Sequence, residues 1–219
     1  MNRLKRALLG IIYAWSILFF GYIAVVFYSQ PIWEWETVSN YTFEPRTVLM
    51  LIHWIGGSIV LLLGPLQYID KIRLKNREIH KWIGRIYLGL GCIPTSICGI
   101  MYTIWCGTVG GIVMDVAFVL YGSIFLVCGI MTYIYIRLGD KNRHKRWAMR
   151  TFSTGIGSAI YRVYILPLII QSIVGVEIVK TREDKILWLN ISAYLLFLPT
   201  IINEIYIWTR KRKQIWYIQ

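Results

Sequence analysis

Long apolar runs separated by short, basic connections set the pattern of this chain. Six stretches reach the roughly 20 mostly apolar residues that a helix needs to cross hydrocarbon. They run about 7–28, 47–68, 82–106, 111–136, 147–174 and 186–209, and little is left over for a soluble domain. The pattern predicts an all-α fold: a polytopic membrane helix bundle of six transmembrane helices, forming a single transmembrane domain over residues 1–219. The first run follows a basic start, as a signal peptide would, but is too long for an h-region. No small-x-small site follows before "YSQPIWEWE", so it is expected to stay as an anchor.

The middle of the chain repeats. "GSIVLLLGPLQYI" at 57–69 aligns without a gap on "GSIFLVCGIMTYI" at 122–134, a spacing of 65 residues that recurs from Trp82 to Trp147 and from Arg85 to Arg150. The repeat therefore covers a two-helix hairpin, about 50–106 and again about 115–171, with helices 7–28 and 186–209 flanking the pair. Copies that each cross twice share one orientation, so a pseudo-two-fold axis along the membrane normal is expected. The Trp–Arg pairs read as anchors, Trp at the headgroups and Arg reaching to phosphate.

A net charge of +13 raises the question of nucleic acid, and its distribution answers it. Nineteen of the 24 Lys and Arg residues fall at the N-terminus, in the second-to-third and fourth-to-fifth connections, and in the tail. Arg46, Lys180, Arg182 and Lys185 fall on the other side, and Arg162 lies within a span. The positive-inside rule then puts both termini in the cytoplasm. The expected partners are the lipid bilayer and anionic headgroups at the cytoplasmic face, with no nucleic acid. Cys92, Cys98, Cys106 and Cys128 sit in spans without metal-type spacing and read as small packing residues. Asn40-Tyr41-Thr42 is a glycosylation sequon in the first outer loop, beside interfacial Trp33 and Trp35.

Candidate chemistry rests on few residues. The repeat sets His80 and His144 at one depth near the cytoplasmic surface, where two imidazoles offer haem or metal ligation. Contact with lipid phosphates is the alternative. His53, Asp115, Arg162 and Asn190 each put a polar group into a different span, and a rise of about 1.5 Å per residue sets them in a common layer of the outer half. Charged groups in lipid must pair or be wetted, so this layer should face inward. Asp115 with Arg162 is the expected pair, with His53 and Asn190 completing either a ligand pocket or a structural knot. Glu204 is expected to reach towards Lys81 or Arg146. No span is plainly broken at matching positions, although Pro65 and Pro167 are candidates for kinks.

"His53…Gly57…Gly64-Pro65-Leu66-Gln67", "His80-Lys81-Trp82-Ile83-Gly84-Arg85-Ile86-Tyr87", "His144-Lys145-Arg146-Trp147-Ala148-Met149-Arg150" and "Arg162…Leu166-Pro167" resemble the predicted membrane proteins called domain of unknown function 2306. The resemblance covers residues 50–170; Ala148, which splits Trp147 from Met149, is a small departure from its pattern. It implies six spans, singles out the same histidines and Arg162, and supplies no reaction. Three functions compete. The leading reading is membrane redox with b-type haem or a quinone. Another is transport or binding of a small-molecule ligand at the outer layer, and the third is a scaffold without chemistry. Nothing resembles a nucleophile elbow, a phosphate loop or a zinc-protease helix, so no enzyme class is assigned.

Overall fold

In the computed structural model the described residues are 45–108, 110–164 and 181–216, with Gly10 and Ala14 besides. The first expected span, the loop with Trp33, Trp35 and Asn40, and the fifth span beyond Tyr164 lie outside them. The order is α1 (Pro45–Leu63), a 3₁₀ turn (Pro65–Tyr68), a π turn (Lys71–Lys75), α2 (Arg77–Ile86), a π segment (Tyr87–Cys92), α3 (Ile93–Cys106), α4 (Ile112–Arg137), α5 (Lys141–Tyr164), α6 (Arg182–Leu195) and α7 (Leu198–Trp216). There is no strand among the described residues. Among the described residues four helical stretches are long and apolar enough to cross a membrane: Val48–Tyr68, Arg77–Cys106, Ile112–Arg137 and Arg182–Thr209. Contacts divide the chain into two compact units, Met1–Tyr102 and Thr103–Gln219.

In the first unit, α1 packs against the π segment, and its His53 meets Thr95 and Gly99 of α3. Proline explains the widened turn. Pro94 has no N–H to give, and in a regular helix its ring would collide with the carbonyl of Leu90. The chain answers with i→i+5 bonding, in which the Ile93 N–H donates to the Leu88 carbonyl. The displaced Leu90 and Gly91 carbonyls lie against Gly56, where a Cβ would come within 3.2 and 3.0 Å of them. Glycine at 56 is thus a condition of the packing. Pro65 ends α1 in the same spirit, and the chain tightens into the 3₁₀ turn.

In the second unit, α4 and α5 form an antiparallel hairpin. Thr132 faces Thr151 at 2.9 Å near the connection, Tyr121 bonds the Thr154 carbonyl and the Ser158 N–H, and Phe118 meets Tyr161 edge-on at 5.5 Å. Met114, Ala117, Tyr121, Phe125, Cys128 and Thr132 point inward, whereas Val116, Leu120, Ile124, Val127 and Ile134 are exposed. A large apolar face turned outward with small and polar residues turned inward is what a lipid-facing helix requires.

The last apolar stretch is two helices. Pro199 cannot donate to the Leu195 carbonyl and its ring crowds it, so the helix stops at Leu195 and restarts at Leu198. This differs from the unbroken sixth span expected over 186–209. The buried break packs on α5, where a Cβ at Gly157 would lie only 2.2 Å from the Leu196 carbonyl oxygen. Met114, Ala117, Tyr121, Tyr161, Ala193 and Leu196 make the core around it.

Candidate functional site

The glycine turn that opens α4 organises the end of the second unit. Gly107 and Gly111 both have φ of +70°, a backbone that side chains rarely adopt. The turn is closed by Gly111 N–H to the Thr108 carbonyl, and the Gly111 carbonyl then accepts from Met114 and Asp115. Asp115 falls in the first turn of α4, where the helix dipole favours an acid. Its Oδ1 is nevertheless buried without a hydrogen-bond partner, and its Oδ2 lies 3.7 Å from where a Cβ on Gly107 would stand.

Asn190 on α6 approaches the same turn. A Cβ at Gly110 would be 2.7 Å from Asn190 Oδ1, so only glycine leaves room for the amide. Asn190 Oδ1 is also buried without a partner. Depth is set by neighbours: Trp188 Nε1 donates to the Tyr164 carbonyl at 2.7 Å, and the Phe118–Tyr161 contact lies one turn from Asp115. Asp115, Asn190 and the last turn of α5 thus share one level. Arg162 stands in that turn of α5, with its side chain outside the described residues. Two unfilled oxygen acceptors, on facing helices beneath a turn made of glycines, can receive hydrogen bonds from a donor-bearing molecule or neutralise a cation. A buried acceptor left empty carries a substantial desolvation penalty, which is why such atoms are rare.

The other expected site residues are placed elsewhere. His53, in the first unit, is set by α3: its Nδ1 lies 2.8 Å from the Thr95 carbonyl oxygen, Thr95 Oγ1 donates to the His53 carbonyl at 3.3 Å, and Gly99 vacates the space for the ring. His80 is half-buried in α2 of that unit. His144 belongs to the second unit, and its Nδ1 is 2.9 Å from the Thr132 carbonyl oxygen. A ring that gives Nδ1–H to a carbonyl presents Nε2 as its lone pair, the arrangement seen behind metal-bound histidine. Among the described residues no three His, Cys, Asp or Glu side chains gather to hold a metal ion.

The resemblance read from the motifs has a direct counterpart. A family model for predicted membrane proteins, DUF2306, matches residues 50–202. The chain belongs to that family. Neither the curated proteins nor the solved structures give a match. The DUF2306 segment holds the glycine turn, Asp115 and Asn190. It also holds most of a second polar system that sequence reasoning missed.

That system joins α5 to α7. Arg150 Nε and Nη2 donate to Glu204 Oε1 and Oε2 at 2.5 and 2.8 Å, and the guanidinium lies 4.6 Å from the Trp147 ring centre. One turn further along, Thr154 Oγ1 meets Thr200 Oγ1 at 3.1 Å. Thr132, Thr151 and Thr154 also return their hydroxyls to carbonyls four residues earlier, a usual way to satisfy hydroxyls inside apolar helices. Glu204 therefore turns to Arg150, and the expectation of Lys81 or Arg146 is corrected. Planar two-point pairing selects the guanidinium whose level along α5 matches Glu204. Arg150 is correspondingly an interior partner as well as a neighbour of Trp147. The available signal was the acid itself, alone among the apolar residues 186–209.

Proposed function

We propose that this protein binds a polar, donor-bearing small molecule within the membrane and passes it across. The observation that carries the reading is the pair of empty, buried acceptors, Asp115 Oδ1 and Asn190 Oδ1, at one glycine turn. Arg162, at the same level, completes the ligand-binding set in this reading. The break in the last span adds weight, because transport proteins build their sites at interrupted helices. Six spans, a duplicated hairpin, both termini in the cytoplasm and the site in the outer half form the topology we assign to it.

The test is ligand-dependent thermal stabilisation of the purified full chain in neutral detergent, with amines, amino acids and polyols as probes. A probe that raises Tm for the parent chain, but not for Asp115→Asn or Asn190→Ala variants with unchanged ligand-free Tm, supports the reading. Equal stabilisation of parent and both variants rejects it.

Membrane redox through b-type haem is the second reading, with His144 as an iron ligand. It is favoured by the His144 Nδ1 contact to Thr132, which leaves Nε2 for iron. A Soret band in protein made with ample haem, abolished by His144→Ala, supports it; colourless protein counts against it. The scaffold reading has no specific contact in its favour.

A further inference from the structure

The first unit carries a second set of unfilled polar atoms, of opposite kind to Asp115 and Asn190. They lie where the apolar stretch Val48–Tyr68 ends and the stretch Arg77–Cys106 begins, at the level where chain leaves hydrocarbon for headgroups. The connection is built from the 3₁₀ turn, the π turn and α2, each packed on the others. Gln67 is in the first of these and its amide rests against Gly84 of α2, where a Cβ would lie 3.6 Å from Oε1. Arg73 is in the second, which packs on the first.

Both side chains keep a buried donor without an acceptor: Gln67 Nε2 and Arg73 Nε. The two acids nearby are already engaged. Asp70 accepts from Arg73 Nη2 at 2.8 Å, and Glu78 accepts from Lys81 Nζ at 2.6 Å. Six bases, Lys71, Arg73, Lys75, Arg77, Lys81 and Arg85, stand against those two acids between residues 70 and 85. An arginine Nε and a carboxamide N–H, buried in a positive field with no anion to receive them, fit the oxygens of a phosphate group.

The surroundings indicate which phosphate. Leu74, Ile79, Trp82 and Ile86 are exposed along the same turns, and Arg85 lies 4.8 Å from the Trp82 ring centre. A soluble anion gains nothing from exposed leucine, isoleucine and tryptophan, whereas a lipid brings acyl chains to cover them and a phosphate for the donors. We infer that Gln67 and Arg73 form a headgroup site for an anionic phospholipid at this end of the first unit. The site is independent of the Asp115–Asn190 reading, which lies in the other unit.

Native mass spectrometry of the full chain in neutral detergent tests the inference, with phosphatidic acid, phosphatidylcholine of the same chains, and inorganic phosphate as probes. The parent chain should retain phosphatidic acid over phosphatidylcholine. Gln67→Leu should weaken that retention about tenfold, the value of one hydrogen bond to a charged group. Arg73→Gln should weaken it at least as much, and Lys141→Gln, in the other connection, should leave it unchanged. Gln67→Leu keeps every charge, so it separates the site from a general loss of positive field and remains informative if Arg73→Gln does not fold. Retention unchanged in Gln67→Leu overturns the site. Displacement of the lipid by millimolar inorganic phosphate overturns the lipid assignment.

Discussion

Cutting the Arg150–Glu204 pair should cost the protein a measurable share of its stability. The two hydrogen bonds are bidentate, at 2.5 and 2.8 Å, and tie α5 to α7. The side chains are 22% and 45% exposed, so the pair lies between two known limits. Breaking a fully buried pair costs about 3–5 kcal/mol, while an exposed one is worth about 0.2–1 kcal/mol. An intermediate value of about 2 kcal/mol follows for Glu204→Met or Arg150→Met alone. For a chain of this length each kcal/mol moves Tm by about 2–4 °C, giving a drop of about 4–8 °C. The double variant should recover most of the loss, because two methionines leave no orphaned charge and fill similar volume. The assay is thermal unfolding of the four proteins in one detergent, read as a double-mutant cycle. Additive losses, or single losses below about 1 °C, would refute the claim that the two side chains act as one unit.

Other expectations concern single contacts. Gly157→Ala would push a Cβ into the Leu196 carbonyl, a backbone atom that cannot rotate away; a loss of about 1–3 kcal/mol in thermal unfolding is expected, and an unchanged Tm rejects that close approach. Gly99→Ala would drive the His53 imidazole from its 2.8 Å contact with Thr95. Its cost is about 1–3 kcal/mol and should largely vanish when tested in a His53→Ala background. Gly110→Ala should displace the Asn190 amide, so it should abolish stabilisation by any probe that needs Asn190 while its ligand-free Tm falls. Gly107→Ala should destabilise by about 1 kcal/mol or more, because φ of +70° suits glycine alone.

Much of the fold was legible because burial in lipid demands long apolar helices, and length is the easiest signal to count. The spans expected at 47–68, 82–106 and 111–136 correspond to Val48–Tyr68, Arg77–Cys106 and Ile112–Arg137. What hydropathy could not reveal was how each helix is wound. Pro94 and Pro199 were in plain view, yet whether a proline yields a kink, a widened turn or a break depends on what receives the displaced carbonyl. Gly56 receives the Leu90 and Gly91 carbonyls and Gly157 the Leu196 carbonyl at the break, and both glycines lie on other helices. Asp115 and Asn190 were singled out because polar atoms are scarce in such helices, and the turn that draws them to one place is three glycines whose role only packing discloses. Glu204 was matched to the wrong cation for a simpler reason. Arg146 and Arg150 are one turn apart, and their levels against α7 depend on helix tilt and register, which a count of residues does not contain.

The π segment between Tyr87 and Cys92 has a consequence for how the second apolar stretch can vary. Inserting one residue into a helix without lengthening its bonded ladder elsewhere offsets everything downstream by about 100° of rotation. Thr95 and Gly99 face His53 only because of that offset; a residue deleted from 88–91 would rotate both of them away from α1. Substitutions in this stretch should therefore be far better tolerated than indels of one, and a homologue short by one residue here would have to bring a different pair of side chains to α1.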